Sequence, residues 1–285
     1  MNRLKPIKVV DLKRSIFEDN DKDAARLRAS LKKRGTFLLN VMSSPGSGKT
    51  TTLVGLIRLL KNEMKIAVME ADIDSDKDAR CVAELTGVKS VQLHTGGMCH
   101  LDADMTRQGL KSLAEKHGSN SETAENIGKS DRVSGNEAVG KNGETGQADE
   151  IIRKEAVKIR DTAADSSSNT FDCGDYDLVI LENVGNLVCP AEFDTGAVKN
   201  LTILSVPEGD DKLLKYPLMY QVSSALVINK IDVLPYFDFN PEKVKEYALR
   251  RNPGLDIFTI SAKTGEGLEA LADWVRTEVK RWKTE

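Results

Sequence analysis

The chain has 285 residues, of which 40% are hydrophobic, and carries a formal net charge of −3. That length and apolar content suffice for a buried core, and the near balance of acidic and basic residues argues against a basic nucleic-acid-binding surface. No apolar run is long enough to cross a bilayer, and the charged N-terminus lacks the hydrophobic segment of a signal peptide. We therefore expect a cytoplasmic protein with no nucleic-acid or membrane partner, whose four cysteines are thiols rather than a disulfide framework.

Helices and short apolar strands alternate along most of the chain. An amphipathic helix is predicted at residues 20–34, followed by a buried strand at 37–42 and a helix at 49–60. Further strands are predicted at 65–69, 177–181, 201–206, 225–228 and 257–260, and a last helix at 267–282. Strands buried on both faces and alternating with helices predict an α/β fold with a mostly parallel sheet flanked by helices.

Residues 117–170 depart from this pattern. They are rich in Ser, Gly, Asn, Glu and Lys and lack aromatic residues. Such a composition cannot bury enough apolar surface to offset the entropy of ordering, so we predict a mobile polar insertion, in which 150–164 could form a charged helix. The predicted organisation is a single domain over residues 1–285, with an N-terminal helical extension at 1–35 and this insertion.

A Gly-rich loop lies between the first strand and the next helix. Its sequence, Ser-Ser-Pro-Gly-Ser-Gly-Lys-Thr at residues 43–50, is typical of a phosphate-binding loop, although Ser43 replaces the usual first glycine. The glycines let backbone N–H groups approach phosphates at the helix N-terminus. We expect Lys49 to bridge the outer phosphates and Thr50 to ligate Mg²⁺. The predicted nucleotide contacts in this loop are Gly46, Ser47, Gly48, Lys49, Thr50 and Thr51.

Two later motifs indicate that the base is guanine. They are Asn-Lys-Ile-Asp at residues 229–232 and Ser-Ala-Lys at residues 261–263. Asp232 can accept both the ring N–H and the exocyclic amine of guanine, which adenine does not offer together. A small-molecule P-loop kinase would not need this pair of motifs. The sequence thus predicts a GTP-binding domain, with base-site residues Asn229, Lys230, Asp232, Ser261, Ala262 and Lys263.

Acidic residues that follow two strands complete the predicted catalytic set. We expect Asp72 and Glu182 to hold Mg²⁺ or its water and Gly185 to offer its N–H to the γ-phosphate. Asn186 stands where several fast GTPases carry a water-orienting Gln, and no arginine finger is evident, so slow intrinsic turnover is expected. The predicted catalytic residues are Lys49, Asp72 and Glu182, and the predicted Mg²⁺ ligands are Thr50, Asp72 and Glu182.

A second constellation consists of Cys99, His100 and Cys189. The glycines at 96–97 allow the turn that adjacent Cys and His residues need to share a metal ion, and three N/S ligands leave an open position, as expected for a metal in transit. Single cysteines are more often small buried apolar residues, so the residues alone leave both interpretations open. Cys189 lies four residues beyond Gly185, on a segment expected to rearrange when the γ-phosphate leaves. A metal bound there would be coupled to the nucleotide state.

Four segments resemble the HypB family, the hydrogenase nickel-incorporation GTPases of the SIMIBI class. The segments are residues 43–50, 70–72, 96–103 and 182–194, and the resemblance covers about residues 20–115 and 171–282. It implies a SIMIBI-type P-loop GTPase that binds GTP, Mg²⁺ and either Ni²⁺ or Zn²⁺. It also implies a homodimer that assists nickel insertion into the [NiFe]-hydrogenase large subunit with a small zinc-containing, HypA-like partner. By the resemblance, Cys99, His100 and Cys189 form the family's metal site at the dimer interface.

Two other functions are compatible with parts of the sequence. A related GTPase chaperone for urease or for a cobalamin-dependent mutase would share the nucleotide motifs, but the 182–194 string and the Cys99-His100 pair count against it. A metal-binding module with vestigial nucleotide binding is the third interpretation. The intact Lys49, Thr50 and Asp232 argue against this module, and measurable GTP turnover would exclude it.

Overall fold

The computed structural model describes residues 12–72, 77–115 and 172–285, without the side chains of 12–16, 72 and 77–79. The helices are α1 (Leu12–Arg34), α2 (Lys49–Leu60), α3 (Lys77–Thr86), α4 (Ala103–Ala114), α5 (Cys189–Glu192), α6 (Lys212–Lys215), α7 (Pro217–Gln221), α8 (Pro241–Arg251) and α9 (Leu268–Thr284). The strands are β1 (Phe37–Ser43), β2 (Ile66–Asp72), β3 (Lys89–His94), β4 (Leu178–Glu182), β5 (Lys199–Ser205), β6 (Ala225–Asn229) and β7 (Asp256–Thr259). Two 3₁₀ turns follow strands, at Val206–Glu208 and Ile231–Tyr236.

The strands form one parallel sheet in the order β3-β2-β4-β1-β5-β6-β7. The central strands β1 and β4 are buried over their whole length, because helices cover both faces of the sheet. After β1 the chain runs towards the β3 edge of the sheet, and after β4 it runs towards the β7 edge. The loops after β1 and β4 therefore leave side by side at a topological switch point, where ligands bind in open parallel sheets.

The core lies on both faces of this sheet, and β1 contributes to each in alternation. Leu39 belongs to a buried cluster with Leu56 of α2 and Val275 of α9. Leu38 belongs to another cluster, on the opposite face, that includes Leu31 of α1. Successive side chains of a strand point to opposite faces, so one strand serves both layers. Helix α1 is thus anchored in the core of one face.

The α/β class and the parallel sheet agree with the prediction, although helices α4 and α8 had no predicted bounds. Helix α1 begins at Leu12 rather than at residue 20. Strand β3 is missing from the predicted elements, because it is an edge strand of half-exposed residues without an apolar run. The predicted insertion at 117–170, with its helix at 150–164, lies outside the described residues, and the division into domains stays a prediction. No helix in the described ranges is long and apolar enough to span a membrane.

Candidate functional site: a phosphate loop and a thiol pair

The loop between β1 and α2 has the backbone geometry of a phosphate cradle. Gly46 and Gly48 have φ values of 74° and 93°, and α2 begins at the next residue, Lys49. A Cβ atom at Gly48 would lie 2.5 Å from Asn229 Nδ2, so the chain passes too close to the second loop for any side chain. The requirement for glycine at position 48 therefore comes from both the backbone angle and the contact.

Ser43, the residue that departs from the usual motif, is the centre of a small hydrogen-bond network. Its fully buried hydroxyl accepts hydrogen bonds from Ser47 Oγ at 2.6 Å and from Lys49 Nζ at 3.0 Å, and donates to Ser44 O at 2.9 Å. A glycine could make none of these side-chain contacts. The substitution therefore adds an internal support to the loop and orients the Lys49 side chain across it.

The two predicted base-reading motifs meet at the carboxyl end of β6. Asn229 Oδ1 accepts from the Ala262 amide at 3.1 Å, and Ser261 Oγ donates to Asp232 Oδ1 at 2.7 Å. Asn229 Nδ2 also donates to Ser47 O at 2.9 Å, which ties the base-reading loop to the phosphate loop.

Lys230 joins the same two loops from the other side. Its φ is +65°, and no other non-glycine residue in the described part of the chain has a positive φ. Its Nζ donates to Gly46 O at 2.7 Å. The predicted Lys263 and Thr51 side chains are exposed. The structure thus brings the phosphate loop and the two later motifs together.

A cavity of about 610 Å³ opens between the phosphate loop and the end of β4. Its size falls in the range of small-molecule sites in proteins. It is lined by Pro45, Gly46, Gly48, Lys49, Thr50, Thr51, Glu70, Ala71, Glu182, Asn183, Val184, Gly185 and Lys230. Most of the predicted phosphate-loop residues and both Glu182 and Gly185 therefore face one space.

Two buried glutamates form the acidic wall of this cavity. Glu182 of β4 and Glu70 of β2 are register partners on neighbouring strands, 4% and 2% exposed, and Thr50 Oγ1 lies 3.5 Å from Glu182 Oε1. Adjacent carboxylates repel each other, and a divalent cation with oxygen ligands offsets that repulsion. Asp72 ends β2, but its side chain lies outside the described part, so its predicted role stays a prediction.

Glu70 is absent from the predicted site residues. It lies two residues before Asp72 on the same strand, and alternate residues of a strand share one face. The spacing of two residues from Asp72 could therefore have identified Glu70 as a further site residue. Its position opposite Glu182 could not be read from the sequence, since it depends on the register between β2 and β4.

Two of the three predicted metal ligands, the thiols of Cys99 and Cys189, lie in contact. Cys99 Sγ lies 2.8 Å from Cys189 Sγ, and His100 Nδ1 lies 4.0 Å from Cys99 Sγ. All four cysteines are free. Two metal–thiolate bonds of about 2.3 Å at a tetrahedral angle place the sulfurs about 3.8 Å apart, so they must separate by about 1 Å around a metal ion. No group of three His, Cys, Asp or Glu side chains in the described ranges is already arranged to hold a metal.

The protonation states of Cys189 and His100 are compatible with reversible metal binding. The hydrogen bond with Cys99, together with burial, raises the pKa of the Cys189 thiol, so metal binding there must release a proton. Burial lowers the pKa of His100, although Asp102 and Glu192 oppose the shift. The imidazole is therefore neutral near pH 7 and keeps a lone pair for a metal.

One short segment joins the nucleotide cavity to the thiol pair. A Cβ atom at Gly185 would lie 3.2 Å from Pro45 Cγ, so this segment passes directly over the phosphate loop. Asn186, at the predicted water-orienting position, instead accepts a hydrogen bond from the Val188 amide at 2.8 Å. Helix α5 then begins at Cys189. Only three residues separate Gly185 from Cys189, so a shift of the Gly185 backbone reaches the Cys189 thiol over a short stretch of chain.

Known proteins are similar to this chain over nearly its whole length. The family profile described as the CobW/HypB/UreG nucleotide-binding domain matches residues 37–259. The hydrogenase maturation factor HypB of Rhizobium leguminosarum bv. viciae is 35% identical over 274 residues, which cover 96% of this chain and 72% of the relative. The hydrogenase/urease maturation factor HypB of Helicobacter pylori (strain J99) is 34% identical, covering 93% of this chain and 85% of the relative.

A solved structure agrees with the fold. The crystal structure of HypB from Helicobacter pylori in complex with nickel is similar to this chain with a TM-score of 0.66 and 31% identity, covering 92% of this chain and 96% of that one. The sheet with its phosphate loop, the profile and the relatives lead to one conclusion. The chain belongs to the CobW/HypB/UreG family of nucleotide-binding proteins and, within it, to the HypB hydrogenase maturation factors.

Proposed function

We propose that the protein is a GTP-hydrolysing metallochaperone that binds nickel, or zinc, and assists nickel insertion into the large subunit of a [NiFe]-hydrogenase. Family membership supports this proposal, and so does the crystal structure of a related HypB in complex with nickel. A homodimer and a HypA-like zinc-containing partner are part of the same proposal. The metal is the cargo, and GTP hydrolysis times its transfer.

The base-reading loops support GTP rather than ATP. Asp232 is held by Ser261 at 2.7 Å, which leaves carboxylate lone pairs to accept the ring N–H and amine of guanine. Asn229 links this loop to the phosphate loop through Ser47, so the base and the phosphates are bound by one connected unit. Lys49 would exchange the Ser43 hydroxyl for phosphate oxygens, a stronger charge-assisted partner.

The oxygen ligands of the cavity fit Mg²⁺. The Thr50 hydroxyl and the Glu182 carboxylate would hold the ion, since hard cations prefer such ligands. Bound there, Mg²⁺ would neutralise charge on the phosphates. The chain's own contribution is to fix the phosphates by the Gly46–Gly48 backbone and, before nucleotide binds, to hold Lys49 across the loop through Ser43.

The observation that carries the proposal is the short connection between the two sites. Gly185 lies against Pro45 of the phosphate loop, and Cys189, four residues later, lies 2.8 Å from Cys99. A γ-phosphate that draws the Gly185 backbone towards it would pull on Cys189 and alter the separation of the two sulfurs. Metal affinity and nucleotide affinity would then be coupled, and the coupling must be reciprocal.

The test is a titration of the metal-free protein with Ni²⁺ in GDP and then in a non-hydrolysable GTP analogue, with molecular mass followed in parallel. A change in nickel affinity between the two nucleotides, together with dimer formation, would support the switch. Nickel binding that ignores the nucleotide would contradict it.

Two variants separate the sites. Lys49→Ala is expected to abolish GTP turnover and to leave nickel binding in place. Cys99→Ala is expected to impair nickel binding with little change in turnover. Loss of both activities in Cys99→Ala would show that the two sites are not separable units.

Urease maturation is the second candidate function. It is favoured by the Helicobacter pylori relative, which is named a hydrogenase/urease maturation factor. Deleting the gene and assaying both nickel enzymes in the same cells, with and without added nickel, distinguishes the two.

A further inference from the structure

Helix α1 contacts both chain segments that carry the proposed metal ligands. Asn20 donates from Nδ2 to Asp194 O at 3.0 Å, and its Oδ1 accepts from the Ala103 amide at 3.0 Å. Ala103 lies three residues after His100, and Asp194 lies five residues after Cys189. A single half-buried amide thus links the two segments to each other.

The Ala103 end of this link has a clear physical basis. Ala103 is the first residue of α4, where backbone N–H groups have no partner within the helix. Asp102 caps the helix by accepting from the Met105 amide at 2.8 Å, and Asn20 satisfies the Ala103 amide. Because one end of the link needs an acceptor and the other a donor, a side-chain amide serves both, whereas a carboxylate serves only one.

An ion pair reinforces the Asp194 end. Arg28, two turns further along α1, donates from Nη2 to both carboxylate oxygens of Asp194 at 2.7 Å and from Nε to Ala197 O at 3.0 Å. Both charged side chains are about one-third exposed, so solvent only partly screens the pair. The packing is close as well, because a Cβ atom at Gly196 would lie 2.8 Å from Leu27 of α1.

Aromatic contacts extend the connection to the imidazole itself. The His100 ring stacks on Phe193 with centroids 3.7 Å apart and planes 10° apart. Phe193 in turn contacts Phe17 of α1, with centroids 4.9 Å apart. The orientation of the His100 ring is therefore set by an aromatic side chain that α1 supports.

We propose that α1 is a positioning element of the metal site, in which Asn20 fixes the separation of the Cys99-His100 and Cys189 segments and Phe193 orients His100. The inference rests on the proposed metal-binding function of those three residues. Partners that orient metal ligands commonly change affinity by about 10–100-fold when removed. Asn20 and Phe193 touch no metal, so they act through the ligands that they hold.

The test compares Asn20→Ala with Asp21→Ala, an exposed neighbour on the same helix, in Ni²⁺ titrations of the full chain. Asn20→Ala is expected to weaken nickel binding by about tenfold and to alter the thiolate-to-nickel absorption band. Affinity for GDP and the melting temperature should stay close to those of Asp21→Ala, because Leu27 and Leu31 still anchor the helix. Asn20→Asp keeps the bond from Ala103 alone, so its loss of affinity should be intermediate.

The outcomes separate this inference from the function on which it rests. If Cys99→Ala binds nickel as the unaltered protein does, the metal site is wrong and the positioning role falls with it. If Cys99 is required but Asn20→Ala equals Asp21→Ala, the metal site stands and the positioning role is overturned. A parallel fall in nickel affinity, GDP affinity and melting temperature in Asn20→Ala would also overturn it, because that pattern is general destabilisation.

Discussion

Replacing Gly48 by alanine tests the close approach of the phosphate loop to the base-reading loop. The backbone at Gly48 has φ +93°, and an added Cβ would lie 2.5 Å from Asn229 Nδ2. That amide donates to Ser47 O, and the same side chain accepts from the Lys230 and Ala262 amides. The methyl group must therefore displace a side chain that organises both halves of the nucleotide site.

The expected cost follows from these contacts. An L-residue held at such a φ costs about 1–3 kcal/mol, and each hydrogen bond lost by a displaced Asn229 adds about 1 kcal/mol. With two bonds lost, about 3–5 kcal/mol opposes the binding-competent loop. At 1.4 kcal/mol per factor of ten, affinity for guanine nucleotides should fall by about two to three and a half orders of magnitude.

Gly46→Ala is the matched control. Gly46 also has a positive φ, 74°, but an added Cβ there would meet no protein atom within 4 Å. Titration with a fluorescent GDP analogue should show only the cost of the backbone angle, so the loss of affinity should be about 30-fold smaller than in Gly48→Ala. Equal losses in the two variants would refute the steric contact with Asn229 as the reason for glycine at position 48.

Three further predictions address the base, the thiols and stability. Asp232→Asn should shift preference from GTP to xanthosine triphosphate, because an amide can donate to the carbonyl that replaces the guanine amine; competition binding measures this, and unchanged preference would contradict it. A small disulfide oxidant should join Cys99 to Cys189, because their sulfurs lie 2.8 Å apart. The protein loses two hydrogen atoms and the oxidant is reduced to two thiols, so mass spectrometry should show a decrease of about 2 Da. Nickel added first should prevent this decrease. Burial would raise the pKa of Asp177, but hydrogen bonds from Lys283 and a backbone amide lower it below 3.8. Its stabilisation is therefore present above pH 3.8 and lost as the pH falls through the folded-state pKa, so the loss of urea stability in Asp177→Asn should be full at pH 7 and should shrink as the pH is lowered below 3.8.

The local geometry of the contiguous motifs could be predicted because it depends on neighbouring residues. The glycines and Lys49 of the phosphate loop lie within eight residues, and the strand before and helix after fix their geometry. The same holds for the Asn229–Asp232 motif. The class of fold was also accessible, since apolar strands alternating with helices allow few arrangements other than a parallel sheet.

Features that depend on strand order and register were not accessible. Glu70 is a wall of the cavity because β2 pairs with β4 at Glu182. The edge strand β3 lacks an apolar run and was missed. Asn20 gave no signal, because an asparagine on a helix surface is ordinary until its two distant partners are known.

By itself, then, the sequence determined a nucleotide-binding α/β domain with a phosphate-binding loop and the candidate thiols, since short-range spacing fixes such motifs. Only the tertiary structure decided that Cys99 and Cys189, ninety residues apart, lie in contact, and that α1 joins their two segments. The physical reason is that side chains distant in the chain meet through sheet pairing and helix packing. Such contacts depend on the packing of the whole fold, so no short stretch of the sequence predicts them.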